Sequence, residues 1–224
     1  MARQLFEAGD ISHGTAIRAD FQSAGKGQMG QLWQGESGEN IYMSLALELQ
    51  IPAEKQFLVN MAVSLAVLHT IKFFLPKASI KWPNDIYHEG RKLAGILIEN
   101  SVQGSLLASS IIGIGINVNQ ENFGPLTKAA SLRSFTNQLI PLKKVYDSLI
   151  SQLEWQLASL PEEWRIWQEY HENLLFYGSI TTFQSNGRLF KGRVKGVDQW
   201  GRLEVEEEGE VKQYSIKEIQ WIDA

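Results

Sequence analysis

The spacing of apolar residues changes along the chain, from period two to about 3.6 and back to two, and this order restricts the possible folds more than any single motif does. Ile41, Met43, Leu45, Leu47 and Leu49 share one face of an extended segment at 41–49. From Gln56 to Phe74 the apolar positions Phe57, Met61, Leu65 and Leu68 recur at helical spacing, with Leu58, Ala62 and His69 beside them, and Pro76 stops the helix. Strands resume at Ser79–Trp82, then at 91–100 and 105–118, a hairpin joined near Gln103-Gly104. An earlier half-buried strand spans 15–22, with Ile17, Ala19 and Phe21 on one side. Helices follow over 142–160 and 161–174, with Pro161 in a first-turn position. Strands that follow one another without intervening helices do not make βαβ crossovers. The order predicts an α+β fold, a mixed, largely antiparallel sheet packed by helices.

From Gly178 onward the pattern changes. Short strands are split by Asn186-Gly187, Gln199-Trp200-Gly201 and Glu208-Gly209, the punctuation of a small β-barrel. Two domains are expected, 1–177 and 178–224, and a chain of 224 residues is long enough for one substantial core and a small appended unit.

Composition removes several functional classes. The net charge is −4 and the lysines and arginines form no stripe, which argues against a nucleic-acid partner. No apolar run approaches the roughly eighteen residues of a membrane span, and Met1–Gly9 lacks the order of a signal peptide, so a cytoplasmic location is expected. There is no cysteine, which excludes disulfides, thiolate metal sites and cysteine nucleophiles. His13, His69, His88 and His171 show no metal-ligand spacing, and His69 reads as a satisfied core or boundary residue.

Three segments remain that can carry chemistry. Gly25-Lys-Gly-Gln-Met-Gly30 has the G-x-G-x-x-G spacing, but 31–38 continues the loop instead of opening a helix, so the dinucleotide reading fails. What is left is a glycine loop over 23–40 with one cation, Lys26, either a plain surface loop or one whose amides close over an anion. Lys81-Trp-Pro-Asn-Asp85 ends a strand in a turn rigidified by Pro83, and Lys81 is either a surface cation or a functional one. Gly113 and Gly115 interrupt a β-branched strand that runs on to Asn117 and Asn119. They mark a bulge, tight packing, or close approach by a ligand.

Taken together, these residues resemble those of biotin–protein ligases, in the stand-alone form without a DNA-binding domain. Ala24–Gly30 followed by Trp33 looks like the family's glycine-rich biotin loop, usually written G-R-G-x-x-G-x-x-W. Lys81–Asp85 is its lysine motif unchanged, and Lys92-Leu-Ala-Gly-Ile-Leu97 is the usual continuation. Gly113–Asn119 resembles its nucleotide-side strand, and Ala130-Ser131-Leu132 a short helix start downstream. The resemblance implies a class II synthetase-like ligase core with a C-terminal SH3-like barrel. It also implies ATP and Mg²⁺ with biotin as substrate, and no metal ion held directly by protein ligands. The partner it implies is a biotin carboxyl carrier domain of a carboxylase, and the oligomeric state a monomer or homodimer. Lys81 is expected to be catalytic, bridging the biotin carboxylate and the α-phosphate. Biotin is expected against Gln22, Gly25, Lys26, Gly27, Gln28, Trp33, Lys81, Gly95, Gly113 and Gly115, and the nucleotide against Lys26, Gln28, Lys81, Asn117 and Ala130.

The chain departs from the family pattern at three places. Lys26 replaces the usual Arg, Gln28 stands where some members have Arg, and Met29 where many have a second Arg. The family's Ser/Thr-Thr-Asn segment before the first helix has no counterpart ahead of Met1–Gly9, and weak biotin binding by residues 1–224 is the expectation that follows. The alternatives are a lipoate–protein ligase of the same superfamily and a non-catalytic biotin-binding homologue.

Overall fold

In a computed structural model of the chain, residues 1–30 and 32–223 are described, without the side chain of Met29. The departure at position 29 therefore lies outside the described side chains. A short helix α1 (Ala2–Glu7) leads to β1 (Ala16–Ala19), the small strands β2 (Gly25–Lys26) and β3 (Leu32–Trp33), and the long β4 (Asn40–Pro52). Then come α2 (Gln56–Lys72), β5 (Ser79–Lys81), β6 (Asp85–His88), β7 (Arg91–Gln103) and β8 (Leu106–Asn117). Helices α3 (Leu132–Thr136), α4 (Leu142–Ala158) and α5 (Glu163–Glu172) precede β9 (Ile180–Ser185), β10 (Arg188–Val197), β11 (Leu203–Glu207), β12 (Glu210–Tyr214) and β13 (Gln220–Trp221).

The main sheet has six strands in the order β1-β4-β8-β7-β6-β5. Every neighbouring pair is antiparallel, so the expected mixed character is confined to isolated bridges such as Lys92↔Ala129. Turns account for much of this. Glu89 and Gly90, both at positive φ (47° and 73°), join β6 to β7 as a two-residue hairpin of the primed type, which follows the right-handed strand twist. Alternation then sorts the faces: Ile41, Met43, Leu45, Ile96, Ile112, Ile114 and Ile116 are buried on the core side. Helix α2 packs there and is buried nearly all round, from Val59 to Ile71, because α4 and α5 cover its far side. The single apolar stripe read from Phe57, Met61, Leu65 and Leu68 therefore understates its burial. Pro161 lies in the turn before α5, not in its first turn.

Among the described residues, the expected barrel at 178–224 is instead a five-stranded open sheet, ordered β12-β11-β10-β9-β13, whose two edge strands do not pair. Two side-chain hydrogen bonds are among the contacts that seat it on the larger unit. His171 on α5 accepts the Val197 N–H on Nε2 at 3.0 Å and donates from Nδ1 to the Trp167 carbonyl at 2.7 Å. The Trp82 indole donates to the Gly201 carbonyl at 2.8 Å. No helix among the described residues is long and apolar enough to cross a membrane.

Candidate functional site

On the sheet face opposite α2, register places residues far apart in sequence in one row. Lys81 pairs with Asp85, Asp85 with Gly95, Gly95 with Gly115, and Gly115 with Tyr42. Directly opposed residues project to the same side, so the row runs from a lysine and a carboxylate across a bare two-glycine floor to a tyrosine. The floor is bare because something lies on it. A Cβ on Gly115 would fall 2.5 Å from Cε2 and Cζ2 of Trp33, and one on Gly95 would fall 2.8 Å from Cζ3. Gly113, one pleat along, would give its Cβ only ordinary contacts, 3.7 Å from the Leu97 carbonyl.

Trp33 reaches the floor on a small hairpin. The loop expected over 23–40 contains β2 and β3, paired as Gly25↔Trp33 and Lys26↔Leu32, with a 3₁₀ turn beginning at Gln28. Gly25 is required by close approach, since a Cβ there would meet the Trp33 carbonyl at 2.6 Å and Gln22 Oε1 at 2.7 Å. Gln22, Ser23, Gly25, Leu32, Trp33 and Gly35 line an open cleft of about 240 Å³. Gly27 and Gln28 are half-buried and Lys26 is exposed. The indole Nε1 of Trp33 is buried without a hydrogen-bond partner, a polar atom whose desolvation is uncompensated.

Positive charge gathers at the other end of the floor. Lys92 Nζ is 2.6 Å from Asp85 Oδ1 and 5.5 Å from the Trp33 ring centroid, and a Cβ on Gly95 would lie 3.2 Å from it. Lys81 Nζ stands 4.3 Å over the Tyr87 ring. Burial lowers the Lys81 pKa to about 8; Asp85 opposes this, and Lys128 and Lys92 add to it. Burial pushes the Asp85 carboxyl up, against the pull of Lys92 and Lys81, and pushes the Tyr87 phenol up as well.

Asn117 and Ala130 lie beside this end, in the main-chain framework. Asn117 Nδ2 donates to the Ala130 carbonyl at 3.0 Å, and the Ala130 N–H donates to the Lys92 carbonyl at 2.9 Å. Asn117 thus ties the 128–130 segment to the end of β8 and the Ala130 N–H ties it to β7, a positioning task for both groups.

The sequence profile described as the Biotin/lipoate A/B protein ligase family matches residues 6–117. The chain belongs to that family. Among relatives of this family member, the bifunctional ligase/repressor BirA of Bacillus spizizenii is 33% identical over 213 residues, covering 90% of this chain and 65% of that protein. The chain thus spans about two-thirds of the length of that relative. The biotin–[acetyl-CoA-carboxylase] ligase of Mycobacterium tuberculosis is 27% identical over 201 residues, covering 85% of this chain and 72% of that one. In fold, the chain is similar to the biotin protein ligase of Aquifex aeolicus in complex with biotin and ATP, with a TM-score of 0.77 and 24% identity over 94% of this chain and 89% of that one.

Of the site residues expected for a biotin/lipoate ligase-family chain, the fold brings Gln22, Gly25, Trp33, Lys81, Gly95 and Gly115 to one face. Gly113 lies on the same strand face with no contact that demands a glycine, and Lys26 points into solvent. Lys92, Asp85 and Tyr87, which gather with Lys81 at the cationic end of the row, were not among the residues expected there. The available signal was that Lys92 opens the Lys92-Leu-Ala-Gly-Ile-Leu97 motif and Asp85 closes the Lys81–Asp85 one.

Proposed function

We propose that this chain is a cytoplasmic, ATP-dependent biotin–protein ligase. It forms biotinyl-5′-AMP from biotin and ATP with its Mg²⁺, then passes biotin to a lysine of a biotin carboxyl carrier domain of a carboxylase. The observation that carries this reading is the cationic end of the glycine floor, where Lys92 and Lys81 flank Asp85. The names of the relatives, a ligase/repressor and a biotin–[acetyl-CoA-carboxylase] ligase, point the same way.

The first step joins two anions. A carboxylate oxygen of biotin attacks the α-phosphorus, the bond to pyrophosphate breaks, and pyrophosphate departs with the electron pair. Repulsion between the reactants has to be offset by fixed cations. Lys92 is the better candidate for the bridge between carboxylate and α-phosphate, because its Nζ stands over the floor. Lys81, turned towards Tyr87, adds a second charge from behind. The β2–β3 hairpin, with Trp33 and the amides of Gly25 to Gln28, covers the adenylate and keeps water from it. In the second step the carrier lysine attacks the acyl carbon and AMP leaves, with no enzyme nucleophile needed.

Incubation with ATP, Mg²⁺, biotin and an isolated carrier domain should label that domain. Transfer of lipoate and never of biotin would assign the chain to the other branch of the family. Biotin binding without biotin-dependent pyrophosphate release would make it a non-catalytic homologue.

A further inference from the structure

The residues that follow the glycines of β8 are tied to other segments one by one. Asn117 holds Ala130, the Val118 N–H donates to Asn40 Oδ1 at 3.0 Å, and Asn119 exchanges two hydrogen bonds with the main chain of Ile140. Gln120 comes next. It lies beyond the end of β8 and is only 5% exposed. A buried amide needs partners for its oxygen and its nitrogen, and those of the oxygen lie in and beside the glycine loop.

Gln120 Oε1 accepts from Asn40 Nδ2 at 2.6 Å and from the Glu36 N–H at 3.2 Å. Asn40 Nδ2 also donates to the Tyr42 hydroxyl at 2.9 Å, and that hydroxyl donates to the Glu36 carbonyl at 3.2 Å. The bonds close a ring that engages both main-chain polar groups of Glu36. Asn40 and Tyr42 are each 2% exposed, so water competes little for these bonds. Gly35 permits the ring, because a Cβ there would strike the Tyr42 hydroxyl and lie 2.9 Å from Asn40 Nδ2. The Gln120 amide is itself oriented by its nitrogen, which donates to the Asn122 carbonyl at 2.7 Å.

Most of 23–40 is exposed, and among the described residues β2 and β3 share two ladder pairs, so the loop does little to hold itself. Its exit is fastened from outside. Besides the ring at Glu36, the Gly38 N–H donates to the Asp20 carbonyl at 3.0 Å and the Asn119 N–H to the Glu39 carbonyl at 2.8 Å. Trp33 lies three residues before Glu36, a reach of about 10 Å of extended chain at most. The ring therefore keeps the indole close to the Gly95–Gly115 floor.

We infer that Gln120 is a positioning residue for the proposed reaction: through Asn40, Tyr42 and the main chain of Glu36 it holds Trp33 over the floor and so slows the escape of biotinyl-5′-AMP. This rests on the proposed ligase reading and adds to it a residue that acts through Trp33.

Three substitutions in the full chain test it. Gln120→Met keeps the volume and removes the acceptor, Gln120→Glu keeps an acceptor, and Tyr42→Phe deletes only the hydroxyl. In the ligand-free protein, hydrogen exchange at the Glu36 amide should quicken about tenfold in Gln120→Met, the worth of one hydrogen bond, and return towards the wild-type rate in Gln120→Glu. Release of preformed biotinyl-5′-AMP should be about tenfold faster in Gln120→Met and in Tyr42→Phe. Transfer of still-bound adenylate to a carrier domain should keep its rate. In a Trp33→Ala background, Gln120→Met should add little to release. Unchanged exchange at Glu36, or an equal rise throughout α2 that marks general destabilisation, would overturn the inference. So would unchanged release, or the same tenfold gain without the Trp33 indole. If the wild type binds no adenylate, the ligase reading fails, and exchange at Glu36 still decides whether Gln120 fastens the loop.

Discussion

Lys81 holds its proton less tightly than an exposed lysine does, with a pKa near 8 in place of 10.5. In the ligand-free protein its charge is therefore present below pH 8 and lost above it, and affinity for an anionic nucleotide should fall over that range. The same shift bears on stability. Between about pH 8 and 10.5 the unfolded chain binds more protons at this residue than the folded one. Its contribution to stability is accordingly full above 10.5 and lost as pH falls through 8. Asp85 works in the opposite sense: its raised carboxyl favours the fold while protonated, and that contribution disappears as pH rises through the folded value. Lys81→Arg places a guanidinium there that stays charged throughout. The alkaline rise in KM for ATP expected of the wild type should vanish in that variant. An inflection that persists near pH 8 would belong to another group.

At the scale of elements, the glycine floor and the hairpin above it are one device. Gly115 sits in an extended strand without left-handed φ, so alanine is acceptable to the backbone there, and the obstacle is the Trp33 ring at 2.5 Å. Gly115→Ala should lift the indole, weaken biotin binding about tenfold or more, and leave the sheet intact, since overpacking typically costs about 1–3 kcal/mol. Combining it with Trp33→Ala should give a coupling energy of at least about 1 kcal/mol, because the second change removes what the new methyl strikes. Strict additivity in binding calorimetry would show that the ring does not rest on Gly115. Among the described residues the hairpin has two pairs of ladder residues. Proteolysis within 23–40 should therefore slow when biotin or its adenylate binds against the hairpin, and equal cleavage with and without ligand would count against ordering.

For the molecule as a whole, the second sheet reaches the site through Trp82, the neighbour of Lys81. Gly201 offers its carbonyl to that indole while holding φ at +81°, and a Cβ there would fall 2.2 Å from the Phe57 ring. Gly201→Ala thus combines backbone strain with a clash inside an interface. A loss of about 2 kcal/mol or more is expected, read as a lower urea midpoint. The KM for ATP should rise as well, because the same contact braces Lys81. A normal midpoint would mean that the two sheets do not depend on this contact.

The strands at 41–49 and 91–118, helix α2 and the turns at Asn186-Gly187 and Glu208-Gly209 were legible in the sequence, because alternation, helical spacing and turn chemistry are local properties. The lysine motif and the glycine loop were legible too, as residues. Strand β6 was not, since Asp-Ile-Tyr-His is too short to display a period and is stabilised by pairing on both sides. Register was equally out of reach: it sets Lys81, Asp85, Gly95 and Gly115 in one row, makes Lys92 the lysine over the floor, and turns Asn117 inward to Ala130. The openness of the C-terminal sheet belongs with these, because closure depends on whether two edge strands meet. Local pattern specifies which segments are extended or helical and where they turn. Which side chains then converge is decided by long-range pairing and packing, whose free energy exists only once the whole sheet has formed.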